Sequence, residues 1–87
     1  MQWNPVWSKF RKSVTTLVDL EMNKLAEVTE VTSDVLSAKL TEMGLYQGKK
    51  VFIAFKAPFG DPIAVDIEGY VLSLRRNEAR LVQVREI

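Results

Sequence analysis

Asp66 and Glu68 stand at alternate positions, and their type and spacing suggest a chemistry. In a strand rising ~3.3 Å per residue, they would share one face about 6.6 Å apart. With Asp61 or Glu78 nearby they would offer a divalent cation an oxygen-rich site. A transition metal accepts carboxylates, but selective sites normally add imidazole or thiolate. The 87-residue chain contains no histidine and no cysteine. Any such site would be weak and poorly selective, and a solvated strand face is the competing reading.

The same absences bear on catalysis. Without histidine the chain lacks the commonest general acid or base. No pairing of a nucleophile with a base is recognisable in the sequence, so it reads as non-enzymatic. Disulfides and thiolate metal sites are excluded with cysteine. Twelve basic and eleven acidic side chains leave a net charge of +1, which argues against a dedicated nucleic-acid binder. No apolar run approaches the roughly 20 residues that span a bilayer. No secretory leader is visible, so a cytoplasmic location is expected.

Three further groups suggest contacts rather than reactions. Arg75, Arg76 and Arg80 surround a predicted last hairpin, with Lys49, Lys50 and Lys56 elsewhere. Such cations meet an acidic protein partner or phosphates, or remain solvated and deter edge-to-edge pairing of strands. Phe59 lies in Pro58-Phe59-Gly60-Asp61-Pro62, a run dense in turn formers. It either tucks under its own loop or stands out as an anchor, and Tyr46 in Leu45-Tyr46-Gln47-Gly48 offers the same choice. Trp3, Trp7 and Phe10 form an N-terminal stripe beside Lys9, Arg11 and Lys12. That stripe would cover an open end of the fold, bind a partner or a second copy, or rest on an anionic membrane surface.

The elements that position these residues follow from periodicity. Asn4-Pro5 is a good helix start, and the apolar spacing predicts a helix over about residues 5–18, weakened by the β-branched Val14-Thr15-Thr16. Alternation over residues 24–31 predicts a first strand. Thr32-Ser33-Asp34 supplies a helix start. The helix over about residues 34–43 buries Leu36, Leu40 and Met43, with Gly44 as the residue past its end and Leu45 folding back. Residues 51–57 form a strand with Val51, Ile53 and Phe55 on one face and Phe52, Ala54 and Lys56 on the other. Beyond the turn, Ile63, Val65 and Ile67 point inward, with Ala64, Asp66 and Glu68 outward. Gly69 marks a bulge or sharp bend. Tyr70, Leu72 and Leu74 make the next apolar face, Asn77-Glu78-Ala79 a tight turn, and residues 80–87 a closing strand. About five strands and one inserted helix imply a small, partly open barrel of the SH3-like kind, since a flat sheet would expose two long edges.

Taken in order, Leu40-Thr41-Glu42-Met43-Gly44-Leu45, Gly48, Ala57-Pro58, Gly60-Asp61-Pro62, Gly69-Tyr70 and Leu72-Ser73-Leu74-Arg75 resemble the FeoA family of bacterial ferrous iron uptake. Leu17 and Leu20 match the leucines that open the family pattern, and Ala26 and Val28 its first strand. The likeness runs from about Leu17 to Val84. It implies a barrel domain over residues 17–87 and an amphipathic extension over residues 1–16, outside the family pattern. Family members usually carry Pro-Gly or a similar pair ahead of the first strand, where this chain has Met22-Asn23, and Asn tolerates positive φ.

The resemblance implies a non-enzymatic accessory protein that meets the cytoplasmic GTP-binding part of the membrane iron transporter FeoB. Tyr46, Phe59, Asp61, Arg75, Arg76 and Arg80 are the expected contacts. It also implies a weakly bound divalent transition metal, iron, with Asp66 and Glu68 as its donors, and the Trp-rich segment would allow a homo-oligomer. The alternative is a metal-responsive regulatory domain similar to the C-terminal SH3-like domain of iron-dependent repressors. Only about 23 residues precede the first predicted strand, too few for a helix-turn-helix.

Overall fold

The computed structural model describes residues 15–87. Its elements are β1 (Thr15–Thr16), β2 (Ala26–Val31), α1 (Asp34–Glu42), β3 (Lys50–Lys56), β4 (Ile63–Ile67), β5 (Tyr70–Leu74), α2 (Arg76–Ala79) and β6 (Val82–Glu86). The six strands run in the order β1-β6-β2-β3-β4-β5, every pair antiparallel. The sheet folds around one core, which makes the partly open barrel that the alternation implied, with six strands rather than five and a second short helix.

The core includes Ile63, Val65 and Ile67 of β4, the positions predicted to point inward. Ala26 and Val28 of β2, Val51 and Ile53 of β3, and Val82 and Val84 of β6 are buried with them. Leu17 and Leu20 join them, and α1 closes one side with Leu36 and Leu40, while Met43 and Leu72 pack on the cluster half-buried. Ser33 caps α1, its Oγ accepting from the Leu36 N–H at 3.2 Å. At the far end the Leu45 N–H reaches the Leu40 carbonyl at 2.9 Å and the Gly44 N–H the Thr41 carbonyl at 3.0 Å. These are the paired bonds of a Schellman motif. Asn23 takes φ 65° at the turn before β2, as expected where the family usually has glycine.

Four local expectations are corrected. The helix expected over residues 5–18 does not include its last turns. Thr15 and Thr16 instead pair with Val84 and Gln83 of β6, as suits their β-branched side chains; residues 5–14 lie outside the described residues. In β3 the register against β4 shifts between Ile53 and Phe55. One extra residue reverses the facing of those that follow, so Phe55 is 58% exposed and Lys56 turns toward the body, donating to the Val18 carbonyl at 3.2 Å. Tyr70, expected inward, is 49% exposed at the end of edge strand β5. Finally, 76–79 is a single helical turn rather than a bare reversal, and residues 80 and 81 precede β6 instead of belonging to it.

Candidate partner-binding site

The loop between β3 and β4 is built by its own backbone. The Gly60 N–H closes a turn on the Ala57 carbonyl at 2.7 Å, and the Ala57 N–H bonds the Pro62 carbonyl at 3.1 Å. Pro58 and Phe59 occupy the two central positions. The turn leaves the Phe59 ring nothing to lie against: it is 95% exposed, which resolves the open choice for this residue in favour of the solvent.

This loop is tied to the start of α2. Asp61 Oδ1 accepts from the Arg76 N–H at 3.1 Å and lies 3.8 Å from an Arg75 guanidinium nitrogen. Glu78 accepts from the Arg75 N–H at 3.0 Å with one oxygen and faces Lys39 Nζ at 3.4 Å with the other. Helix N-termini present unpaired N–H groups that favour acids, and two carboxylates meet that need here. The Arg76 guanidinium crosses so close to Gly60 that a Cβ there would come within 2.8 Å of it. Phe59, Asp61, Arg75 and Arg76 therefore form one surface: an aromatic tip on a pinned loop beside two cations. Arg80 is exposed at the other end of α2, its N–H bonded to the Arg76 carbonyl at 3.0 Å.

Tyr46 belongs to a different cluster. Its half-exposed ring has Lys49 Nζ 5.3 Å from the centroid, and Lys49 reaches on to Glu68 Oε1 at 2.8 Å. The hydrogen bond with Glu68 is the main cause holding Lys49 above the usual ammonium value. The same bond, then the charge of Lys49, holds Glu68 below the usual carboxylate value.

The carboxylates expected to share a strand face are also separated. Asp66 lies in β4, but Glu68 has left it for the turn to β5 with φ 55°. Asp66 Oδ1 accepts from the Gly69 N–H at 2.8 Å, while Glu68 is held by Lys49. Among the described residues no three carboxylates, imidazoles or thiols converge as metal ligands would. With no imidazole or thiolate in the sequence, this donor set does not fit a resident transition metal.

The Asp61–Arg76 link and the Lys49–Glu68 pair went unforeseen in the sequence. The first joins residues 15 apart and the second residues 19 apart, and neither separation is a local pattern. One signal was available: Arg75-x-x-Glu78 has the spacing at which an acid reaches back to a helix start.

The described geometry agrees with comparisons to known proteins. A model of the FeoA domain matches residues 15–86. The FeoA protein from Chlorobium tepidum has 36% identity and a TM-score of 0.78, over 84% of this chain and 70% of its own. FeoA from Stenotrophomonas maltophilia, complexed with zinc, has 31% identity and a TM-score of 0.70, over 80% of this chain and 88% of its own. That protein is described as a prokaryotic SH3 domain protein and a candidate ferrous iron transport activating factor. The manganese-activated repressor ScaR shares the fold alone, at 20% identity and a TM-score of 0.74, over 83% of this chain and 35% of its own. Among curated proteins nothing matches.

Proposed function

The chain belongs to the FeoA family, and on that premise we propose that it is a non-enzymatic accessory protein acting at the cytoplasmic face of the ferrous iron transporter FeoB. Membership places it with ferrous iron transport. The finer reading is that Phe59, Asp61, Arg75 and Arg76, with Arg80 alongside, bind the transporter's GTP-binding part, and that Tyr46 is a peripheral contact. One observation carries it: an almost fully exposed phenylalanine on a loop fixed by Asp61 beside two arginines. Aromatic and arginine side chains dominate the energetics of protein interfaces. In this reading the module expected over residues 17–87 takes in Thr15 and Thr16 as β1 of its sheet, and the residues before them are an extension available for self-association.

Titration of the purified GTP-binding part with this protein, without nucleotide, with GDP and with a non-hydrolysable GTP analogue, tests the proposal. Saturable binding in at least one state that Phe59→Ala weakens about 30-fold supports it. No binding in any state refutes it.

The repressor-like fold favours a second reading, a metal-responsive regulatory domain. For that role Asp66 and Glu68 would have to release the Gly69 N–H and Lys49 to take a divalent ion. Anaerobic calorimetry with ferrous iron decides: heat of binding that Glu68→Gln abolishes supports this reading, and no heat at high protein concentration removes it.

A further inference from the structure

Strand β5 ends the sheet order, and its sequence, Tyr70-Val71-Leu72-Ser73-Leu74, carries no charge. Exposed edges are ordinarily kept short, charged or covered, because they template pairing with another chain. The opposite edge, β1, is two residues long. β5 is five residues long, with Tyr70, Val71 and Ser73 exposed.

The hairpin geometry shows which backbone groups face outward. β4 and β5 are joined by Glu68 and Gly69, both with positive φ, at 55° and 93°. Such a two-residue turn is closed by a hydrogen-bonded pair, here Ile67 opposite Tyr70. Bonded and non-bonded pairs alternate along an antiparallel ladder. Tyr70, Leu72 and Leu74 therefore direct their N–H and C=O groups at β4, and Val71 and Ser73 direct theirs at the open side. No hydrogen bond outside the strand ladders engages the N–H or C=O groups of Val71 or Ser73 among the described residues.

We propose that this edge pairs with the β5 edge of a second copy of the same chain, antiparallel about Leu72. In that register Val71 of each copy faces Ser73 of the other, so the open N–H and C=O groups meet in two bonded pairs. Tyr70–Leu74 carries no charge in either copy, so nothing along the paired segment repels its own image.

The outer sheet face gains by the same placement. Phe55, Ala64 and Ser73 lie in one cross-strand row, and Phe52, Asp66 and Val71 in the next. Phe55 and Val71 are each more than half exposed. Pairing about Leu72 places Ser73 beside the second copy's Val71, so the two rows run on into each other across the seam, where cross-strand neighbours stabilise a sheet. Two five-residue strands bury less than the roughly 1,200 Å² of a standard stable interface, so the dimer is weak and concentration-dependent.

Sedimentation velocity on the full chain, from roughly 10 µM to roughly 1 mM, tests this, with Val71→Lys and Ser73→Pro as variants. Ser73 does not donate to β4, so proline there removes the seam bond and spares the hairpin. The expected result is a rise from monomer to dimer mass in the natural chain. Association should weaken at least about tenfold in both variants, with melting of dilute samples changed little. A natural chain still monomeric at the top concentration overturns the proposal, as do variants that dimerise equally well. Slow amide exchange at Val71 and Ser73 in dilute samples also overturns it, since the edge would then be covered from within the chain or by another partner.

Discussion

Two exposed clusters, those of Tyr46 and Phe59, differ in how completely they satisfy themselves. At one, Tyr46 lies beside the ammonium of Lys49, which is paired with Glu68; ring, cation and anion serve one another. At the other, the carboxylates are used on the backbone N–H groups of Arg75 and Arg76. That leaves the Phe59 ring bare, and Asp61 reaches the Arg75 guanidinium at only 3.8 Å. Exposure alone does not make a contact surface. What distinguishes the Phe59 end is that its loop is held in shape while the groups at its tip have unspent capacity to interact. Pre-organisation of that kind lowers the ordering cost of binding.

The largest test of this contrast is Phe59→Ala. Truncating an anchor at the centre of an interface costs about 2 kcal/mol or more, so affinity for the GTP-binding part of the transporter should fall about 30-fold. An exposed ring contributes little to folding, and stability should stay within ~0.5 kcal/mol. Loss of both together would mean that the ring holds its own loop. Gly60→Ala attacks the shape rather than the tip. With φ at 78° a side chain is strained, by roughly 1–2 kcal/mol, and the Arg76 guanidinium must also move. Melting temperature should drop by about 4–8 °C per kcal/mol, with weaker partner binding. Asp61→Ala should cost about 1 kcal/mol by freeing the start of α2, read in the same melts. Tyr46→Ala should change partner affinity by less than about threefold; a larger loss would reverse the ranking of the two clusters.

The parts of this molecule legible in the sequence are those set by uninterrupted periodicity. Ile63, Val65 and Ile67 alternate without a break, and Leu36, Leu40, Met43, Gly44 and Leu45 describe a helix and its stop within ten residues. Legibility fails where one residue changes parity. The bulge after Ile53 turns Phe55 outward, and no local feature of residues 51–57 announces it, because it is fixed by the partner strand. Glu68 continues the alternation on paper, yet the short turn to Tyr70 takes it out of the strand, and a two-carboxylate face does not form. Phe59 was legible as a loop tip but not as exposed, and the tie of its loop to α2 through Asp61 and Arg76 is a property of the folded sheet.

The smallest effect concerns the Tyr46 end and depends on pH. Glu68 has its carboxyl held below the ordinary value by Lys49. Its contribution to stability is complete above the ordinary carboxylate range and is lost as pH falls through the lowered value. Lys49 is held above its ordinary value by Glu68, so its contribution is complete below the ordinary ammonium range and is lost as pH rises through the raised one. Glu68 is exposed and Lys49 half-buried, so water and salt still screen the pair. The pair therefore gives a shallow plateau across neutral pH with a small decline at each end. Glu68→Gln should flatten both declines in melting curves recorded against pH at low salt, and the natural chain should resemble the variant once salt is raised. Partner binding should hold steady across that plateau, because the Phe59 end does not depend on this ion pair. A steep change of affinity within the plateau would show instead that the two clusters act as one surface.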